Sequence, residues 1–160
     1  MLTTSTASTS GTIYLTRLLS HRAFVVSNIS FVAAGIITAI PTLIRFGIYT
    51  RSGSTFTLVA RTDSDTTIFD TANTKYTRAL STTGGYPATY SLTAGAEYWI
   101  SVIQVASTAA AILSATARQS TAANSATGAQ LYSSASKTDL SSSISGIASA
   151  NLGGFYAEVS

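Results

Sequence analysis

The stretch Tyr98-Trp-Ile-Ser-Val-Ile-Gln-Val105 limits the possible folds more than any other part of the chain. Side chains of a strand alternate between two faces. One set here is Tyr98, Ile100 and Val102; the other is Trp99, Ile103 and Val105. Both sets are apolar, and the residues are the aromatic and β-branched types that favour strands. A strand that is apolar on both sides needs material packed above and below it, so this one is predicted to be central. Just before it, Tyr90-Ser-Leu92 reads as a short strand and Ala94-Gly95 as a turn, with Gly95 able to take a positive φ.

The rest of the chain supplies partners for such a strand. Thr12–Leu18 and Phe24–Val32 read as strands. Leu43–Tyr49 alternates, with Ile44, Phe46 and Ile48 on one face and Arg45, Gly47 and Tyr49 on the other. Arg51-Ser-Gly-Ser54 is a turn that joins it to Phe56–Arg61 in a hairpin. Residues 62–74 form a polar loop anchored by Ile68-Phe69, and Lys75–Leu80 alternates again. Ile112–Arg118 and Phe155–Val159 complete the set. Eight or nine short strands between turn clusters predict an all-β, antiparallel sandwich of jelly-roll type. Residues 1–10 read as a flexible N-terminal arm, and 11–160 as one sandwich domain. Within it, residues 119–149 are rich in Ser and Ala and are expected to make a surface excursion, with a short helical turn at Leu140–Ile147.

Composition agrees with a sheet protein. Charged residues are only 9 % of the chain, while Ser and Thr make up roughly a third of it. Hydroxyl side chains suit solvent faces of sheets, whereas a soluble helical bundle needs Glu and Lys outside. The net charge of +3 comes from scattered residues, with no basic run for nucleic acid. Without cysteine there are no disulfides and no thiolate metal sites. Ala23–Ile40 is the most membrane-like segment, but Ser27, Asn28, Ser30 and Gly35 interrupt it and its alternation favours a strand, so no membrane insertion is expected.

Three segments carry a family resemblance. They are Ile40–Thr62 with its Phe-Gly-Ile-Tyr core, Asp65-Thr-Thr-Ile-Phe69, and the Leu-Thr-Ala-Gly-x-x-Tyr-Trp run from Leu92 to Trp99. Together they resemble β-sandwich domains of tailed-bacteriophage virion proteins: minor tail, tail or head fibre and capsid-surface proteins, especially of actinobacteriophages. The resemblance implies a structural role on the particle, assembly in the host cytoplasm and residence in the virion. The general look is shared with carbohydrate-binding modules.

Candidate sites are few. His21 is the only histidine and has no cysteine or second histidine to join it, so the sequence assigns no catalytic residue. Asp63, Asp65 and Asp70 share a loop and could offer oxygens to calcium, but the loop lacks the EF-hand glycine and closing glutamate, so no metal and no cofactor is assigned. Glu97 and Glu158 suggest no glycosidase pair. The residues best suited to contact a ligand or partner are Tyr86, Tyr49, Tyr90 and Arg45. A tyrosine offers an apolar ring and a polar tip to an interface or a sugar. Tyr86, in Gly84-Gly-Tyr-Pro87, is the best placed of them. Arg45, Arg51, Arg61 and Arg78, if gathered on one face, would meet acids of a neighbouring subunit.

These readings lead to a non-enzymatic structural protein of a phage particle, displayed on tail or capsid surface and contributing to host attachment. Its expected partners are copies of itself, with a trimer favoured, other virion proteins and a host cell-surface glycan. The alternative is a carbohydrate-binding, lectin-like receptor-binding module.

Overall fold

The computed structural model describes residues 3–115, 131–147, 149–150 and 155–160. All their ladder pairings are antiparallel, and none of these residues is helical. The strands are β1 (Thr3–Thr6), β2 (Ile13–Leu19), β3 (Phe24–Val26), β4 (Asn28–Ala33), β5 (Leu43–Ser52), β6 (Thr55–Arg61) and β7 (Thr74–Ala79). Then come β8 (Tyr90–Leu92), β9 (Glu97–Val105), β10 (Ile112–Ala115), β11 (Leu131–Ser134), β12 (Ser143–Ile144), β13 (Ser149–Ala150) and β14 (Ala157–Val159).

Seven strands make one layer, in the order β12-β6-β5-β9-β2-β11-β13. The other layer is built on β4. It pairs with β7 along its whole length, while β14 and β10 meet its opposite side end to end and β1 continues from β10. The small ladder β3–β8 extends this layer, because β3 runs into β4 after a break at Ser27. The chain changes layer repeatedly, and the antiparallel layers make the all-β sandwich expected from the sequence. On one flank the layers join: Thr62 and Leu80 form a bridge, and Ser81 N–H donates to the Arg61 carbonyl at 2.8 Å.

The layers meet in a core of Phe31, Ile29 and Ile112 from one side and Phe46, Ile48, Ile100 and Val102 from the other. Phe31 and Phe46 touch across it with ring centroids 4.9 Å apart. Ile68 and Phe69 plug the core from the 62–73 loop, as their apolarity predicts. Burying side chains of this size contributes about 1.5–3 kcal/mol each.

β9 lies between β5 and β2, in the centre of its sheet. Its Trp99 and Ile103 face away from the main core into a second apolar cluster with Ile13, Leu15, Tyr49, Phe56, Leu58 and Tyr132. Leu140 and Ile144 cover that cluster, with Ile147 packed beside them. The central strand thus has packing on both faces, as predicted. In β6, pairing skips Val59, because Ile48 faces Ala60 while Tyr49 faces Leu58. This bulge turns Phe56 and Leu58 outward but Ala60 inward.

Several expectations need correction. Thr3–Thr6 is not a loose arm but strand β1, since backbone bonds to β10 need no apolar side chains. Residues 131–147 are not a surface excursion, and Leu140–Ile147 forms no helical turn. Leu131–Ser134 pairs with β2, Ser143–Ile144 pairs with β6, and the segment between them straps the outer face. Residues 116–118 and 119–130 of the expected strand and excursion lie outside the described residues. The turn at Gly95 has φ 78°, but it carries the chain between layers: β8 pairs with β3, while β9 pairs with β5 and β2. Among the described residues there are fourteen strands, more than the eight or nine expected, because Phe24–Val32 divides into β3 and β4 and because β1, β11, β12 and β13 carry little apolar pattern. Among the described residues no helix is long and apolar enough to cross a membrane.

Candidate functional site

A cluster of polar groups sits on the outer face of the seven-stranded sheet, under the strap 135–147. Arg45 on β5 and Arg61 at the end of β6 both point outward, since Gly47, two residues after Arg45, pairs with Arg61. Both guanidiniums meet Asp139 of the strap. Arg45 Nη1 donates to Asp139 Oδ2, and Arg61 Nη1 lies 3.6 Å from the same oxygen. The arginine side chains are largely buried, at 11 % and 15 % exposure, whereas Asp139 is 39 % exposed. Two cations therefore share one carboxylate at the rim of an apolar cluster.

Three neighbours complete the arrangement. The Tyr86 ring lies 4.8 Å from the Arg61 guanidinium carbon, a cation–π contact. Arg61 Nη2 also donates to the Thr83 carbonyl at 3.3 Å. Tyr49 is fully buried, and its hydroxyl donates to the Ser141 carbonyl of the strap at 2.8 Å. Burial, with Tyr86 and Asp139 nearby, holds that hydroxyl far above the usual tyrosine range. Leu140 seats the strap over Gly47 and Ser101, and the Ser101 hydroxyl is buried without a hydrogen-bond partner.

A second cluster lies beside the first. Phe56, Trp99 and Tyr132 pack ring to ring at 5.0–5.3 Å, and Arg51 lies over them, 4.9 Å from the Tyr132 centroid. Trp99 Nε1 donates to Glu97 Oε1 at 3.1 Å, and Arg17 Nε donates to Glu97 Oε2 at 2.6 Å.

No family model, no curated protein and no solved structure matches this chain. Its own geometry must therefore carry the functional reading.

Of the four residues singled out from sequence, Tyr49, Tyr86 and Arg45 come together here. Tyr90 does not; it packs edge-to-face on Tyr98 on the main-core side, with centroids 6.0 Å apart. Tyr49 reaches no solvent, so its ring is a strap anchor rather than a ligand platform. Tyr86 is half-buried within an otherwise exposed loop, residues 82–89. The four arginines do not share one face. Arg45 and Arg61 meet an acid of their own chain, Arg51 covers aromatics, and Arg78 donates to Asp65 at 2.6 Å in the opposite layer.

The three loop aspartates are spoken for separately. Hydrogen bonds from Ser81 and Thr83 hold the Asp63 carboxyl below its usual range. Burial pushes Asp65 up, but Thr67 and Arg78 outweigh it and the net direction is down. Tyr76 and then Thr71 lower Asp70. Among the described residues no three Asp, Glu or His side chains gather as a metal site would need. His21 is exposed in the connection between β2 and β3. Asp139 was missed by sequence reasoning. Its only signal is that it is the one acid between Glu97 and Glu158, inside a Ser-rich run.

Proposed function

We propose that the chain is a structural protein of a phage particle, a display block on the tail or capsid surface that does no chemistry and assembles with copies of itself and other virion proteins. The observation that carries this reading is the use of its carboxylates. The chain has six acids, and each ties one part of the fold to another. Glu97 holds Arg17 and Trp99, Asp139 holds Arg45 and Arg61, and Glu158 holds Lys75 and Tyr156. Asp65 holds Arg78 and Thr67, Asp70 holds Tyr76 and Thr71, and Asp63 accepts from Ser81 and Thr83. A hydrolase needs a carboxylate or histidine poised on a substrate. Here the acids act as cross-ties, and the three loop aspartates have lowered pKa values rather than the raised one of a general acid.

The charge-poor, hydroxyl-rich surface and the sheet packed on both faces suit a durable surface unit, and the sequence resemblance supplies the particle. Antibody labelling of purified particles tests the reading. Label on the head or tail surface is the expected result; particles that lack the chain would overturn it. The Tyr86 loop supports a contribution to attachment. A Tyr86→Ala chain that assembles normally but no longer adsorbs to host envelopes would mark that loop as the contact.

A further inference from the structure

Four large apolar side chains are exposed among the described residues, and they fall in two pairs. Leu19 is 43 % exposed and Val25 60 %; Ile36 is 48 % exposed and Ile40 92 %. The pairs occupy opposite ends of the sandwich. Leu19 and Val25 flank the connection from β2 to β3, which is stitched to the Gly95 turn by hydrogen bonds between residues 20 and 95–96. Ile36 and Ile40 lie in the loop after β4, which bonds to Val105, Ala111 and Phe69. Between the two ends runs the β3–β4 strand line, Phe24 to Ala33, roughly 30 Å at 3.3 Å per residue. An isoleucine as open as Ile40 gives the fold almost no burial. Singly exposed apolar residues are ordinary; what sets these four apart is that they fall at the two opposite ends of the sandwich.

Charge separates the two ends. The Leu19–Val25 end carries exposed Arg22 and Arg51, while its Arg17 is matched by Glu97. Joining two copies through that end would set arginine against arginine. The Ile36–Ile40 end carries exposed Asp70; its Lys75 is matched by Glu158 and its Asp65 by Arg78, with Lys137 further round at Gly11. From Ala23 to Ile44 the chain has no charge at all.

We propose that the occupant of each end is the other end of a second copy: the Ile36–Ile40 loop docks head-to-tail on the Leu19–Val25 turn of the next chain. Such a contact is heterologous, and because its two halves face opposite ways it builds an open stack rather than a closed pair. This names the partner surface for the display block, and it stands on geometry whether or not the block belongs to a particle.

Sedimentation of the full chain tests it. Wild type should gain mass by at least about twofold as concentration rises, since self-association follows mass action. Ile40→Asp and Val25→Asp should each remain monomeric, with melting curves showing that both stay folded. Mixed in equal amounts, the two variants should form a one-to-one pair that grows no further, because each keeps one intact end. Wild type that stays monomeric overturns the proposal while leaving the display reading intact. So does a Val25→Asp chain that still dimerises, since that contact would join Ile40 to Ile40, and so does a mixture that never pairs.

Discussion

Gly47 and Leu140 are in direct contact across the strap: a Cβ at Gly47 would stand 2.7 Å from Leu140 Cδ1. It would also meet Leu58 Cδ1 and Ser101 Oγ, each at 2.9 Å. The absent side chain is what lets the strap lie flat on the sheet. Gly47→Val, although it raises strand propensity, should destabilise the protein by about 1–3 kcal/mol through overpacking. Ser101→Ala at the same spot should be neutral or slightly stabilising, because the hydroxyl it removes is buried and unpaired. Urea unfolding of both variants checks the contrast.

Asp139→Asn should loosen the strap. It leaves the Arg45 and Arg61 guanidiniums largely buried without a counter-charge. Breaking a fully buried pair costs about 3–5 kcal/mol, but Asp139 is partly solvated, so a loss of about 1–2 kcal/mol is expected. Limited proteolysis should then cut within residues 135–147 before any other described segment.

Stability should be flat near neutrality and fall at both extremes of pH. Asp63, Asp65 and Asp70 have lowered folded-state pKa values, so their contribution is present above the unfolded carboxyl value and lost as pH falls through the folded one. That places the acid loss below about pH 4. Tyr49 has a raised folded-state value, so its contribution is present below the unfolded tyrosine value and lost as pH rises past about 10. Melting temperature against pH measures both limbs. Asp65→Asn should flatten the acid limb, and Tyr49→Phe the alkaline one.

Gln104→Leu should cost about 1–3 kcal/mol despite adding an apolar residue to a buried site. Gln104 Oε1 accepts from the Ala110 N–H at 2.9 Å, and its Nε2 donates to the Ala110 carbonyl at 3.2 Å and to Ser8 Oγ at 3.1 Å. Leucine would strand the buried amide of Ala110. Faster hydrogen exchange at that amide, with little change at the far end of β9, is the expected local sign.

How much of this was legible depended on periodicity. The alternation of Leu43–Tyr49 assigned faces that β5 keeps, and the double apolar set of Tyr98–Val105 located the centre of a sheet. Gly53 and Gly95 marked reversals and take φ 57° and 78°. The strap could not be read this way. Leu140, Ile144 and Ile147 are spaced four and three apart, as on a helix, yet they serve as separate knobs on a pleated surface. β1 was invisible for the opposite reason: its Thr-Thr-Ser-Thr run has no apolar pattern, and its pairing is made by backbone. The meeting of Arg45 with Asp139 joins residues 94 apart in sequence, and no local signal foretells such a closure.

The bridge between Thr62 and Leu80 bears on how such units could tile a surface. It ties the end of β6 to the end of β7 at a single point of that flank. Among the described residues β7 pairs with β4 alone, so its other edge offers a neighbour's strand a place to add, and an array built on that edge inherits a direction.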